Sequence, residues 1–209
     1  MGHVVSNQPW GVLDIDTNEG RVFFQQDWFY TCQMLAGTSA WTYPQKHHFH
    51  TTLDKQIWGR WSMRVRLHVI GNSPFAKSFM ARGVPINFDV RWALKPGHWS
   101  GNAFKVPAGS SVNVYRSNVI FGARVINLYS IALTPYTAGN AALKSNPGFL
   151  TVPHEFGHAI GAPDEYNADS ANLGDTSSIM NIGKSLRDRH LNLIITTLNG
   201  MIPGTTFKF

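Results

Sequence analysis

The order of apolar and polar residues divides the chain into a strand-rich first part and a helical last part. Alternation, or enrichment in β-branched and aromatic residues, marks Arg21–Phe24, Met63–Ile70, Ile86–Trp92 and Val112–Tyr115 as strands. Gly71-Asn72-Ser73-Pro74 and Lys95-Pro96-Gly97 punctuate them, because Gly and Pro favour turns and interrupt ladders. Arg124–Leu133 reads as a further strand, apolar enough to be buried. Residues 1–135 are therefore expected to be mainly strand. Beyond them the spacing becomes helical. One helix is predicted over 147–160. Asn146 is one candidate cap; Pro153 instead favours a start capped by Thr151, which leaves the proline in the first turn, where its missing N–H does no harm. A second helix is predicted over Leu186–Leu198, with Leu191, Ile194, Ile195 and Leu198 on one apolar face. The pattern predicts an α+β fold in one domain spanning 1–209, without internal repeats or a long linker.

The first of these helices carries the chemistry. His154-Glu155-Phe156-Gly157-His158 runs on to Gly161 and Asp164, so the stretch reads H-E-x-x-H-x-x-G-x-x-D. Helical residues four apart share a face, and His154 and His158 can turn two imidazoles toward one metal ion. Glu155 adjoins the first of them and can reach a water in an open coordination position as general base. Gly161 can leave the helix with positive φ at little cost, having no Cβ. That turn brings Asp164 back as a third, oxygen ligand. Glu165, with its longer reach, and His190 compete for the third position, and Asp188 is a weaker candidate. His190 is also a catalytic candidate, as a donor to the oxyanion of a tetrahedral intermediate. Ser178-Ile179-Met180-Asn181 follows in a Gly/Ser/Asn/Asp-rich stretch that reads as a turn.

Helix, glycine turn, third ligand and later methionine turn together resemble the metzincin zinc peptidases, over roughly residues 148–200. Metzincins usually carry His at the third-ligand position; this chain has Asp164, as some members of the clan do. The resemblance implies Zn2+ as cofactor and Met180 packed beneath it. It also implies an edge strand near Arg124–Leu133 that pairs with an extended peptide above the cleft. The run H-E-F-G-H-x-x-G-x-x-D-E-Y, with S-I-M-x-x-G and R-x-R-H after it, is also similar to bacterial toxin peptidase domains attached to type VI secretion spike (VgrG) or Rhs-type proteins. That likeness implies delivery as effector cargo to a periplasm or a host cell, with an immunity protein as partner.

Composition narrows the partners. With 43% hydrophobic and 14% charged residues the chain is globular rather than disordered. No apolar run reaches the length of a transmembrane helix, and no secretory signal is read at the start. The single cysteine, Cys32, excludes an intrachain disulfide and reads as a buried core thiol. A net charge of +6 suits acidic partners. The basic residues are scattered, though. Their densest segment, Arg60–Arg66, reads as the wet face of a strand, so no specific nucleic-acid site is expected. His47-His48-Phe49-His50 reads as a loop lacking the Cys or carboxylate that would complete a metal site. The tryptophans read as core and sheet-face residues.

These observations predict a zinc-dependent endopeptidase acting on a protein or peptide. Its metal ligands are His154, His158 and Asp164, and its catalytic residues are Glu155 and His190. A non-catalytic metal-binding recognition module, or a zinc amidase acting on peptidoglycan peptides, are the alternatives.

Overall fold

β1 (His3–Gln8) and β2 (Gly11–Asp16) form an antiparallel hairpin, and β2 pairs onward with β3 (Arg21–Met34). In the computed structural model, which describes residues 2–110, 114–135 and 148–209, these strands belong to a nine-stranded mixed sheet. The long β3 is its spine. β5 (Val84–Ala93) runs parallel to it, and β6 (Trp99–Lys105) runs parallel to its C-terminal half. Beyond β5 lie β4 (Arg66–Gly71) and then β9 (Thr205–Lys208). Beyond β6 lie β8 (Val125–Tyr129) and, antiparallel at the edge, β7 (Asn118–Ile120).

Period-two burial explains the layering. Val22, Phe24, Gln26 and Trp28 point into the core, whereas Arg21 and Phe23 on the other face are exposed. Two helices, α1 (Tyr43–Trp61) and α3 (Thr151–Ala159), belong to the layer over the buried face. Trp61, Phe88 and Phe156 meet there with ring centroids 5.5–5.7 Å apart. Phe156 lies two residues from His154 and so faces the core while the histidine faces away. Its full burial is worth roughly 1.5–3 kcal/mol. Side-chain donors fix both ends of α3. Trp61 Nε1 donates to Pro153 O at 2.9 Å, and Gln26 Nε2 donates to Ala159 O at 2.8 Å. The shorter α2 (Pro74–Phe79) packs near β4 and β9 through Phe75 and Phe207, and α4 (Asn192–Leu198) buries Ile194 and Leu198.

The three-residue β7 gains support from side chains. Asn118 accepts from Asn127 at 2.8 Å, Asn127 from Asn102 at 2.9 Å, and Asn102 from Gln33 at 3.1 Å. One amide from each of four neighbouring strands thus ties the edge to the sheet. No helix among the described residues is long and apolar enough to cross a membrane.

The fold class is α+β and strand-rich, as the pattern predicts, but several elements differ. Within the supposed strand region lies α1, the longest helix. His47, His48 and His50 therefore sit on a helix, not in a loop. Arg60 belongs to the end of α1, and Met63 turns the chain with φ 59°, so only Arg66 of the Arg60–Arg66 segment lies on a strand. Residues 112 and 113 of the expected strand at Val112–Tyr115 fall outside the described residues; Val114 and Tyr115 lie in a turn and a bend. The strand expected over Arg124–Leu133 is shorter, because Ser130–Leu133 winds into a 3-10 turn. Leu150, without a side-chain bond, occupies the cap of α3, and Thr151 is its first residue; Asn146 lies outside the described residues. The last helix begins as a 3-10 turn at Asp188–Leu191. Cys32 is half-buried rather than part of the sealed core.

Candidate metal centre

The ligand helix ends as its glycine requires. Gly161 adopts φ 89°, donates to His158 O at 3.0 Å, and is followed by an Ala162 N–H to Gly157 O bond of 2.9 Å. This pair of bonds is a Schellman turn. A Cβ on Gly161 would also meet Leu193 Cδ2 at 2.9 Å. The reversed chain carries Asp164 back over the histidines. Asp164 Oδ1 lies 3.2 Å from His154 Nε2 and 3.1 Å from His158 Nε2.

Two backbone carbonyls set the imidazole tautomers. His154 Nδ1 is 2.7 Å from Ile179 O, and His158 Nδ1 is 2.8 Å from Ala162 O. A carbonyl only accepts, so each Nδ1 carries a proton and each neutral ring turns its Nε2 lone pair toward Asp164. The buried Asp164 Oδ1 has no hydrogen-bond partner, although both Nε2 atoms are close. Three acceptor atoms thus flank a common point without bonding one another. Their lone pairs repel unless a cation or a proton lies between them. The residues His154, His158 and Asp164 can accordingly hold a metal ion.

Met180 packs against α3 at Gly157. It is fully buried, and a Cβ on Gly157 would come within 2.2 Å of its sulfur. Glycine at the third position after His154 is what lets the Met180 segment approach the helix closely enough for Ile179 O to reach His154. The same segment holds the third-ligand strand of chain, since Glu165 N donates to Met180 O at 2.9 Å.

The competing residues are engaged elsewhere. Glu165 is buried and accepts from Arg189 at 2.6 and 2.9 Å, a bidentate pair that already matches its charge. Asp175 accepts from Arg189 and from Arg187, which extends the network across the Met180 turn. The structure does not bring His190 into the cluster of His154, His158 and Asp164. Its Nδ1 accepts from Arg187 N at 3.1 Å, so its proton sits on Nε2, 3.2 Å from Glu165 Oε1 and 3.1 Å from Ser178 Oγ. Both nitrogens are thus committed, and the residue is 2% exposed. Asp188 is exposed and caps Arg189 N.

A cleft of about 550 Å³ opens beside the cluster, lined by Ser117, Asn118, Glu155, His158, Asp164 and Tyr166 among others. Burial pushes the Glu155 carboxyl up to about 7, while the positive charge that His154 and His158 can carry draws it down. For His158, burial works against the charged ring, but the facing carboxylates of Asp164 and Glu155 outweigh it, so its pKa lies above 6.5. Burial likewise opposes the charged Asp164, yet the two imidazoles hold its carboxyl well below the usual range. Without metal, the cluster therefore takes up a proton on His158. Because the raised pKa means proton binding below it, metal affinity should fall as pH drops through that value and level off above it. A metal titration between pH 8 and pH 5.5 checks this. Affinity constant across the interval would contradict it.

The sequence reading missed Tyr166. Its ring stacks on His154 at 5.9 Å and 20°, and it lines the cleft. Its place two residues after Asp164 was the available signal, since alternate residues of an extended segment face one way. Comparison with known proteins finds no family model, no curated protein and no solved structure that matches the chain.

Proposed function

We propose that the protein is a zinc-dependent endopeptidase of metzincin type. The observation that carries the reading is the convergence of two Nε2 lone pairs and one carboxylate oxygen on a common point at the wall of an open cleft. Zinc is favoured by the donor set, two imidazoles and a carboxylate. The separations of 3.1 and 3.2 Å also approach the edge of a tetrahedron with arms of ~2.0 Å, which is about 3.3 Å. Bound there, zinc would supply Lewis acidity toward a scissile carbonyl and a water.

The chain's own residues supply the rest. Glu155 lines the cleft, adjoins His154 in the chain and is not itself one of the three converging ligands. It takes a proton from the attacking water as the water oxygen bonds to the carbonyl carbon. It then passes that proton to the amine nitrogen as the C–N bond breaks. A carboxyl poised near neutrality serves both halves. The edge strand beside the cleft is β7, not β8 of the Arg124–Leu133 segment, which lies between β6 and β7; the outer side of β7 pairs with no strand among the described residues and suits an extended peptide.

The test is digestion of casein and of muropeptides by the tag-free protein. Cleavage of casein, abolished by a chelator and restored by zinc, is the expected result. Cleavage of muropeptides alone would replace the peptidase with an amidase. Cleavage unaffected by chelation would overturn the reading.

A further inference from the structure

Two segments wall the cleft beside the metal cluster. One runs through Ser117–Val119 into β7, and the other is the irregular chain between Pro163 and Asn172. Three carboxylates line the space, and two already have work there. Asp164 faces the imidazoles, and Glu155 serves the water. The third, Asp169, is exposed in a turn of the second wall. Among the described residues its carboxylate has no hydrogen-bond or ion-pair partner, whereas Glu165 and Asp175 are both held by arginines. Among the same residues no lysine or arginine lines the cleft; Arg116 adjoins the lining residue Ser117 without lining it. Asn167 and Asn172 add amide oxygens to the wall that carries Asp169. The chain as a whole is +6, yet this wall offers a negative charge and acceptors with no cation to match them.

We infer that Asp169 is a specificity-determining residue: it selects substrates that carry a lysine or arginine side chain close to the scissile bond. The inference rests on the peptidase reading above and names its substrate class. A peptide paired along β7 is extended, and its successive side chains point to opposite sides, so one set is presented to the cleft. An ammonium has three donors and a guanidinium five, and neither accepts. Either can pair with Asp169 and give its remaining donors to the amide oxygens of Asn167 and Asn172. A glutamate in the same place would meet Asp169 as a like charge. The pair stays open to water, so it is worth roughly 2- to 5-fold, the effect of an exposed ion pair, and salt screens it.

Mass spectrometry of the casein fragments gives a scissile bond. A quenched-fluorescence peptide built around it then carries Lys, Ala or Glu in turn at each flanking position. At one position the full chain should cleave the lysine peptide with kcat/KM roughly 2- to 5-fold above the alanine peptide, and the glutamate peptide below it. The gain should lie in KM, because the pair forms equally in the bound substrate and the transition state. It should vanish in ~1 M salt. Asp169→Asn, which keeps the size of the side chain, should bring the lysine-to-alanine ratio close to one, and Asp169→Lys should turn the preference toward glutamate. Binding of the same peptides to zinc-loaded Glu155→Gln, read by fluorescence anisotropy, should follow the same order without turnover. A lysine advantage that survives in Asp169→Asn, or a wild type without one, would overturn this inference and leave the peptidase reading standing. A wild type that cleaves no peptide at all would overturn both together.

Discussion

Replacing Glu155 by glutamine should leave the metal content at the wild-type level and lower peptide hydrolysis by ~10²–10⁴-fold. Glutamine keeps the shape of the side chain but cannot take a proton from water. Glu155 is not one of the three converging atoms, so the ligand set is untouched. It is also 6% exposed, and burial already disfavours its charge, so a neutral amide there does not strain the fold. Steady-state cleavage of a peptide, with metal stoichiometry measured on the same sample, separates the two effects. Residual activity above a tenth of wild type would remove Glu155 from the proton-transfer role. Loss of metal in the same variant would show that it supports the ligands instead.

The second large effect is expected at Asp164. Asp164→Ala should weaken metal binding by more than ~100-fold, since loss of an orienting partner alone reaches that figure and here a ligand itself is lost. His154→Ala should do the same by removing one of the two imidazoles that α3 turns to the site. Both side chains are at the cleft end of the core, and neither belongs to the Glu165–Arg189–Asp175 network that holds the Met180 turn. Far-ultraviolet circular dichroism of the two variants should therefore match wild type. Full metal binding in Asp164→Ala would mean that the third ligand lies elsewhere.

The candidate site was legible because its geometry is local. Spacing of four places His154 and His158 on one helical face, and Gly161 reverses the chain at a position where a side chain would be strained. Its support was not legible in the same way. Ile179 O and Ala162 O reach the histidines from two loops, and only their placement reveals which imidazole nitrogen is free. His190 was weighed as a third ligand and as an oxyanion donor, yet the fold buries it against Glu165. Charged residues of this type are read from sequence as available, and only long-range pairing shows that they are spent.

The main error in the fold reading, the missing α1, has a simple cause. Its core stripe is one residue wide: Phe49, Leu53, Ile57 and Trp61 recur every fourth position among polar neighbours. A stripe that narrow dilutes the helical period. The cap was the stronger signal, because Thr42 accepts from Gln45 N while the Gln45 side chain accepts from Thr42 N, with Pro44 in the first turn. β5 was legible in the run Ile86–Trp92, and its consecutive buried residues Val84–Phe88 mark a strand covered on both faces; β3 was legible only over Arg21–Phe24, where burial alternates as in a strand with one face in the core.

The metal content of tag-free wild-type protein, by inductively coupled plasma mass spectrometry, tests the central claim most directly. The account predicts about one zinc per chain, retained through gel filtration and absent from His154→Ala. No zinc in the wild type, even after reconstitution at pH 8, would contradict it.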